Sequence, residues 1–281
     1  MSAEPLAPAP ALAPVEDPTI RFTTLDELHE QIDHVEGDIL IVTDVSPRDF
    51  CAIEQARESR RRKYRFRRYY ASTQVLVIAV PTTVHERLHR SLDMIFISKL
   101  TQSGLSGRWG PIGATTLRTH GHPGGDGGEG DSTGGPFPER GGRDNWPTLV
   151  IEAGYSESLH RLRQDMRWWF DASMHQVKIV LLAKFDRSEG QISLEKWEEE
   201  PQAVRSGATT TRSFGRLVPV QRQRIVITQD ATRPGLFNVV SGPLILSFRL
   251  LFLRDPGPGE EDIVFGIPDL QSYATRVWAA L

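Results

Sequence analysis

The segment from Trp146 to Phe185 constrains the fold of this chain more than any other part of the sequence. It begins with a short apolar run, Leu149-Val150-Ile151, and ends with a second one in "QVKIVLLAKF". The residues between them carry apolar side chains at helical spacing: Leu159, Leu162, Met166, Trp169 and Phe170. Two buried strands joined by a helix form a βαβ unit, in which the strands are parallel. The sequence therefore predicts an α/β protein.

The rest of the sequence predicts one α/β domain over residues 19–281. Helical patterns occur in "TLDELHEQIDHV" with Thr24 as N-cap, in "SPRDFCAIEQARESRRR", in "PTTVHERLHRSLDMIFISKL" and in "DLQSYATRVWAAL". Strand patterns occur in "GDILIVTDV", "KYRFRRYY", "QVLVIAV", "GQISLEKWEEE", "RQRIVITQD" and "GPLILSFRLLFLRD". The last of these is expected to place Leu244, Leu246, Phe248, Leu250 and Phe252 on one face of a strand. We expect a mixed sheet flanked by helices and followed by a strand-rich C-terminal extension.

Two segments are predicted to lack packed structure. The N-terminal "MSAEPLAPAPALAPVEDP" is rich in proline and alanine, which predicts a disordered leader over residues 1–18. Residues 119–145, "THGHPGGDGGEGDSTGGPFPERGGRDN", are so rich in glycine that we expect a flexible surface loop interrupting the domain.

Composition limits the classes of function. The net charge is −3 over 281 residues, which does not by itself favour a nucleic-acid or membrane-surface protein. The single cysteine, Cys51, excludes an intrachain disulfide and a multi-cysteine zinc site and favours a reducing compartment. Apolar runs such as residues 75–80 are far shorter than the roughly 20 residues that span a bilayer. We expect an intracellular protein of the cytoplasm or nucleus, without a membrane partner.

Glu152 places a charge at the end of a strand that is otherwise apolar. One interpretation is a strand-end carboxylate that reaches solvent or a neighbouring arginine. The other is a metal ligand, because two carboxylates and a lysine can bind Mg²⁺ or Mn²⁺ and activate water against a phosphodiester. The metal would neutralise charge on the phosphate, and the lysine would orient the water.

Several residues could complete such a site. The second carboxylate could be Asp126, Asp131 or Asp144, each of which could equally be a solvated loop charge. Lys178 opens the next strand and is the candidate lysine, although it could also be a surface residue. Glu86, on the helix after "QVLVIAV", could contribute a further carboxylate or belong to a solvated helix face.

"PTLVIEAGYSES", "LRQDMRWWF" and "VKIVLLAKF" together resemble an uncharacterised protein family that is common in fungal genomes. The resemblance extends through "QVLVIAVPTTVHERLH", "EKWE" and "GPLILSFRLLFLRDPGPGEEDIVF", and so covers most of the chain from about Lys63 onward. More remotely, the strand with its acid and the following serine-containing turn are similar to bacterial endonucleases. Both resemblances imply the restriction-endonuclease-like fold of the PD-(D/E)XK nucleases.

The resemblance also implies roles for particular residues. Glu152 would be the signature acid, Asp131 in "GDSTGGPFP" the upstream acid, and Glu86 the acid contributed by the first helix. The chain departs from the family pattern at position 154, where Gly154 stands in place of the lysine. Because members of this fold can move that lysine to a neighbouring element, the resemblance directs attention to Lys178, or else to Arg161 or Arg163. The chain also lacks a compact Pro-Asp dipeptide.

The segment "RESRRRKYRFRRYY" combines many basic residues with aromatic ones. One interpretation is contact with a nucleic-acid backbone, for which the candidates are Arg61, Arg62, Lys63, Arg65 and Arg67. Another is an edge strand with one charged face, since arginine and lysine at an edge block aberrant pairing. A nuclear-localisation patch is a third.

These observations leave two classes of function open. The first is a Mg²⁺-dependent nuclease acting on DNA or RNA, or a degenerate descendant, with Asp131 and Glu152 as metal ligands and Lys178 orienting the water. The second is a non-catalytic scaffold that binds nucleic acid or protein. Nucleases of this fold often act as dimers, so the resemblance also implies a homodimer. "SES", residues 156–158, is expected to cap the following helix, and His120 and His122 are expected to be solvated loop residues.

Overall fold

The computed structural model describes residues 17–60, 63–113, 115–119, 125–142, 145–202 and 216–281. Within them the chain forms two large mixed sheets flanked by helices, followed by a strand-rich C-terminal region, which confirms the mixed α/β prediction. The α-helices are α1 (Leu25–His34), α2 (Pro47–Arg60), α3 (Thr83–Gln102), α4 (Leu159–Ala172), α5 (Phe248–Phe252) and α6 (Ile267–Trp278). Some predictions lie outside the described residues: those for residues 1–16 of the leader predicted over residues 1–18, for Arg61 and Arg62, for Asp144, and for the pair His120 and His122.

The N-terminal half forms a six-stranded sheet in the order β1-β2-β4-β3-β7-β6. Its strands are β1 (Thr19–Arg21), β2 (Ile39–Thr43), β3 (Arg65–Tyr70), β4 (Val75–Ala79), β6 (Leu117–Arg118) and β7 (Gly127–Gly128). The apolar β4 pairs with β2 on one side and β3 on the other, as its uninterrupted apolar sequence predicts. Helices α1 and α2 cover one face, where Leu28, Ile32, Phe50 and Ile53 are buried with Phe66 and Tyr69 of β3.

The second sheet has seven strands in the order β13-β12-β11-β10-β9-β8-β5. Its strands are β5 (Trp109–Pro111), β8 (Ser132–Pro136), β9 (Leu149–Gly154), β10 (Ile179–Asp186), β11 (Gln191–Pro201), β12 (Leu217–Gln229) and β13 (Phe237–Val240). Strands β9 and β10 pair in parallel across α4, which confirms the βαβ unit. The apolar side chains that recur at helical spacing along α3 are buried beside this sheet: Val84, Leu88, Leu92 and Ile95.

The basic strand β3 differs from the prediction of an edge strand. It lies between β4 and β7, and its pairing with β4 shifts register between Phe66 and Arg68. The extra residue is Arg67, so that Arg67 and Arg68 are both buried although they are neighbours in sequence. A β-bulge re-aims side chains in this way. The simple alternation expected for this segment is therefore broken at Arg67.

The glycine-rich stretch also differs from the prediction where the structure describes it. Residues 127–136 contain β7 and β8, and most of them are buried rather than exposed. Glycine is required there by close packing. A Cβ at Gly134 would lie 2.5 Å from Nε1 of Trp109, and one at Gly130 would lie 2.4 Å from Cγ2 of Thr133. High glycine content here reflects tight contact, not a lack of structure.

The segment predicted as one strand over "GPLILSFRLLFLRD" is divided in two. Residues Leu244–Leu246 form β14, which pairs with β15 (Ile263–Phe265), and the chain then turns into the short helix α5. Phe248 and Phe252 stack within α5, with ring centroids 4.6 Å apart. Residues four apart share a face in both a strand and a helix, so the apolar pattern did not separate the two. The predicted C-terminal helix is α6.

Candidate functional site: a buried cluster of acids and arginines

The two sheets meet at a cluster of charged side chains. Asp131 comes directly before β8, Glu152 lies in the last half of β9, and Asp165 lies on the buried face of α4. Glu157 follows β9, one residue before Ser158, which caps α4 as predicted. The bulged strand β3 brings its arginines to the same place. All of these residues are buried: Arg67, Arg68, Asp131, Glu152, Glu157 and Asp165.

Both carboxylate oxygens of Asp131 accept two hydrogen bonds. Oδ2 accepts from Nη1 of Arg67 at 3.0 Å and from the backbone N–H of Ala153 at 2.8 Å. Oδ1 lies 3.1 Å from Nη1 of Arg65 and 3.0 Å from Nε2 of His85. Burial opposes ionisation, but His85 and Arg67 outweigh it and hold the pKa of Asp131 well below its ordinary value.

Glu152, the charged residue in the apolar strand β9, is paired with two arginines. Its Oε2 accepts from Nη1 of Arg67 at 3.2 Å, and its Oε1 accepts from Nη2 of Arg68 at 2.9 Å and from Nε1 of Trp169 at 2.5 Å. Burial raises the pKa of Glu152, and the two guanidinium groups partly offset that rise. The charge on β9 is thus paired with arginines inside the protein.

Arg67 is the centre of the cluster. Its side chain is 0% exposed and donates to four carboxylates, those of Asp131, Glu152, Glu157 and Asp165. A fifth hydrogen bond, of 2.8 Å, runs from its Nη2 to the carbonyl of Ala153. Burial disfavours the charged guanidinium, yet the surrounding carboxylates raise the pKa of Arg67 well above its ordinary value. The group is a permanent buried cation.

Glu157 is the least compensated acid of the cluster. Its Oε2 accepts from Nη2 of Arg67 at 2.6 Å, but its buried Oε1 has no hydrogen-bond partner. Burial raises the pKa of Glu157 to about 8, against the opposing effect of Arg67. Burial thus favours the protonated form of Glu157, and Arg67 favours the charged form.

A second group of side chains lies on the other side of Asp131, along α3. Nδ1 of His85 lies 3.0 Å from Oδ2 of Asp38, while its Nε2 faces Asp131. Nδ1 of His89 lies 2.9 Å from Oγ of Ser132, and its Nε2 lies 3.2 Å from Oε1 of Glu86. Each imidazole is therefore held at Nδ1 by an outer partner and directs Nε2 toward a carboxylate.

Electrostatics distinguish the two histidines. Burial lowers the pKa of His85, but the carboxylates of Asp131 and Asp38 outweigh it and raise the value to about 10. For His89 burial prevails and lowers the pKa, with Glu86 opposing. Burial also opposes ionisation of Glu86, yet His89 and Arg65 lower its pKa to about 2.

The structure brings together three of the four predicted catalytic residues. Arg65 links Glu86 to Asp131 through Nη2 and Nη1, at 2.9 and 3.1 Å. Arg67 links Asp131 to Glu152 through its Nη1 alone. The three acids thus converge on one centre, with an arginine between each neighbouring pair.

Lys178 does not lie with these acids. In the parallel pairing of β9 and β10 Leu182 is opposite Glu152, and Lys178 is four residues earlier, roughly 13 Å along the strand. Its Nζ donates to the carbonyl of His175 at 2.6 Å. Lys184 occupies the register position opposite Gly154, but its Nζ donates to two backbone carbonyls, those of Tyr155 and Phe185. Burial lowers the pKa of Lys184.

Two of the three predicted nucleic-acid contacts that the structure describes have their charged groups in internal ion pairs. Among those that the structure describes, Lys63 is exposed, Arg65 is nearly buried in its two ion pairs, and Arg67 is completely enclosed. The prediction for Arg67 is corrected, because a side chain with five internal partners has no donor left for a phosphate. Arg57 of the same basic segment is also engaged, through both Nη1 and Nη2, with Glu129.

The predicted Mg²⁺ ligands do not fit a magnesium ion in this arrangement. A carboxylate offers about four acceptor positions, and all four of Asp131 are in use. Glu152 has three donors, and the side chains of Asp131 and Glu152 are 1% and 0% exposed. Magnesium requires octahedral geometry and keeps several waters. The guanidinium of Arg67 lies where a shared metal ion would have to be.

Sequence reasoning missed two features of the site. The first is the pair of buried arginines in β3, which the bulge removes from the surface. No simple periodicity predicts that. The second is the sequence "HERLH", residues 85–89, whose two histidines share one helical face. The H-E-x-x-H spacing is a recognised zinc-binding pattern, and it could have identified these two histidines as a candidate site.

Comparisons with known proteins found a distant structural likeness. No protein-family model and no curated protein matches it. Among solved structures, the chain is similar to a proposed nuclease belonging to DUF820 from Anabaena variabilis ATCC 29413, with 10% identity over 74% of this chain and 90% of that chain. The TM-score of 0.39 makes this likeness too distant to support a conclusion about fold or chemistry. In the part of the chain that the structure describes, no helix is long and apolar enough to cross a membrane.

Proposed function

We propose that the chain is a non-catalytic scaffold of nuclease-like design, in which arginines replace the metal of the acid centre. The observation that supports this most directly is the guanidinium of Arg67, which donates to both Asp131 and Glu152 from a fully buried position. Removing a permanent cation from such a place would leave several buried carboxylates uncompensated. A metal ion would therefore have to displace an ion pair network, not fill an open site.

The positions of Lys178 and Lys184 support the same proposal. In the nuclease interpretation the lysine orients the attacking water. Lys178 directly precedes β10, four residues before the position opposite Glu152, and the amine of Lys184 donates to two carbonyl groups. A cavity of about 290 Å³ lies elsewhere, beside β1 and α1, where Ile20, Phe22 and Leu28 line it.

A protein partner is favoured over a nucleic acid. The basic segment that suggested nucleic-acid binding uses Arg57, Arg65 and Arg67 for internal ion pairs. The C-terminal region instead exposes apolar side chains, including Ile245 and Val264, which are directly opposite each other in the β14–β15 pair. Contiguous apolar surface marks protein contacts, and this pair is where such a contact is proposed to begin.

Cleavage assays test the catalytic part of the proposal. The wild-type chain would be incubated with Mg²⁺ or Mn²⁺ and with single- and double-stranded DNA and RNA. We expect no metal-dependent cleavage and no magnesium binding by calorimetry. Metal-dependent cleavage that disappears in Glu152→Gln but persists in a control with an exposed acid removed, Glu189→Gln, would establish the active-nuclease alternative instead.

Binding assays test the partner class. We expect only weak association with DNA or RNA, and we expect it to disappear as the salt concentration rises, since non-specific phosphate contacts are strongly salt-dependent. Tight association at physiological salt that is lost when Lys63 is replaced by Glu would favour a nucleic-acid scaffold and overturn the preference for protein.

A further inference from the structure

We propose that His85, His89 and Asp131 form a binding site for a divalent transition-metal ion such as Zn²⁺. A ligand atom from each of the three lies within 4.8 Å of a ligand atom from the other two, and all three residues are buried. Imidazole nitrogen and carboxylate oxygen are ligands that zinc commonly takes in proteins. This site is distinct from the pair Asp131 and Glu152, and it does not depend on nuclease activity.

The sequence places the histidines correctly for such a site. His85 and His89 are four residues apart in α3, so that both side chains lie on the same face of the helix, one turn apart. Between them stands Glu86, which completes the H-E-x-x-H spacing. The spacing alone occurs by chance in many helices, and the argument therefore depends on the contacts that follow.

The outer hydrogen bonds are the first of these contacts. In protein metal sites a histidine ligand usually donates its other ring N–H to a carboxylate, a backbone carbonyl or a water, which fixes the orientation of the ring. Here Asp38 holds Nδ1 of His85 and Ser132 holds Nδ1 of His89. Asp38 is itself fixed by the backbone N–H groups of Tyr155 and Ser156, at 2.8 and 2.9 Å.

The distance between His85 and Asp131 also suits a metal. Nε2 and Oδ1 are 3.0 Å apart. Two ligands bound to zinc at about 2.0–2.1 Å in tetrahedral geometry lie about 3.3 Å apart, so these two atoms need to separate by only about 0.3 Å, while His89, within 4.8 Å of both, would move closer to the ion. Metal binding would replace the proton that these two atoms share.

The two faces of Asp131 differ in what a metal would disturb. On the Oδ2 side an ion would have to displace Arg67. Its displacement would break the ion pairs that Arg67 makes with four buried acids. On the Oδ1 side it would displace a proton and weaken one bond from Arg65, whose guanidinium keeps Glu86 as a partner. The carboxylate of Glu86, which is 23% exposed, lies beside His89, so this side is nearer to solvent than the Oδ2 side.

Metal titration of the full-length chain tests the site. After treatment with a chelator, the protein would be titrated with Zn²⁺ by calorimetry, and Co²⁺ would be added separately to follow its visible absorption. We expect one Zn²⁺ per chain and a Co²⁺ spectrum typical of tetrahedral coordination with nitrogen and oxygen ligands. Failure of the folded wild-type chain to bind either ion would overturn the proposal.

Two variants connect binding to these residues. His89→Asn keeps an amide group near Ser132 but removes Nε2, and we expect Zn²⁺ affinity to fall by more than about 100-fold, beyond the effect of losing an outer partner. His160→Ala removes an exposed histidine and should bind like the wild type. Equal binding by His89→Asn and wild type would place the ion elsewhere and overturn the assignment.

A stability measurement guards against misfolding of the variants. Zn²⁺ should raise the melting temperature of the wild type and of His160→Ala, because an ion that binds only the folded state stabilises it. The melting temperature of folded His89→Asn, checked by circular dichroism, should not respond. A response of His89→Asn equal to that of the wild type would contradict the proposal.

Discussion

The two oxygens of Asp131 face different kinds of neighbour. On the Oδ2 side, Arg67 joins Asp131 to Glu152, Glu157 and Asp165, so loss of Arg67 would leave these buried acids without the cation they share. On the Oδ1 side, His85 and Arg65 are the partners, and one of them can exchange its proton. The arginine side is a fixed structural centre, whereas the histidine side can respond to protons or metal ions.

The largest effect is expected from removing the cation of the arginine side. Arg67→Met leaves four acids without their central partner, and breaking a buried ion pair in this way costs about 3–5 kcal/mol of unfolding free energy. Arg67→Lys keeps the charge but loses the forked geometry and should fall between methionine and wild type. Urea unfolding at neutral pH measures each change.

The control for Arg67 is an exposed ion pair. Arg21 contacts Asp44 at 2.6 Å with side chains that are 77% and 55% exposed. Arg21→Met should alter the unfolding free energy by no more than about 1 kcal/mol. If Arg67→Met were no more costly than Arg21→Met, the arginine side would not be the structural centre described here.

The next largest loss of stability is expected from a substitution in β7 that crowds Arg67 and Arg68 of β3. A Cβ at Gly128 would lie 2.9 Å from the carbonyl oxygen of Arg67 and 2.6 Å from Nη1 of Arg68. Gly128→Ala should therefore cost about 1–3 kcal/mol in urea unfolding, as overpacking does in other cores. Gly107→Ala meets nothing within 4 Å and is the matched control. Equal unfolding free energies of the two variants would show that β3 can shift at little cost to make room for the added methyl group.

Much of the fold could be predicted from the sequence because its helices and strands follow strong local patterns of apolar and capping residues. The parallel pair around α4 and the cap at Thr24 follow directly from apolar spacing and polar capping chemistry. Two errors had physical causes. Glycine at Gly130 and Gly134 signals close packing as readily as flexibility, and the spacing of Phe248 and Phe252 fits both a helix and a strand.

Only part of the site could be predicted from the sequence. Glu152, Asp131 and Glu86 were predicted as acids of one site, and the structure brings them together. Their pairing with arginine depends on the bulge at Arg67, which shifts the pairing of β3 and β4 by one residue. Local sequence does not determine where a register shift falls, since both strands contribute to it. The lysine could not be located either, because its position depends on how β9 and β10 align.

The histidine side should show itself in the pH dependence of stability. The pKa of His85 is about 10 in the folded chain and near 6.5 when unfolded, so the folded state holds the proton more tightly. The contribution of His85 is therefore fully present below about pH 6.5 and is lost as the pH rises toward 10. In the presence of a chelator, urea unfolding of His85→Gln between pH 7 and 9 should show a flatter decline than the wild type.

The comparison variant for His85 removes an exposed imidazole. His160→Gln should follow the wild-type decline over the same pH range, because His160 lies at the surface and touches none of the acids. A decline in His85→Gln as steep as in the wild type would mean that His85 does not carry the exchangeable proton. The histidine side would then be as fixed as the arginine side.

The smallest effect is expected from Glu86, at the solvent edge of the histidine side. Its pKa is lowered to about 2, so its contribution is present above the unfolded value of 4.5 and is lost as the pH falls through about 2. Because the side chain is partly exposed and Gln still accepts from Arg65, Glu86→Gln should cost no more than about 1 kcal/mol at pH 7. The difference from wild type should shrink by pH 3 in urea unfolding. A loss as large as that of Arg67→Met would make the edge of the site as essential to the fold as its centre, and the distinction between the two sides of Asp131 would fail.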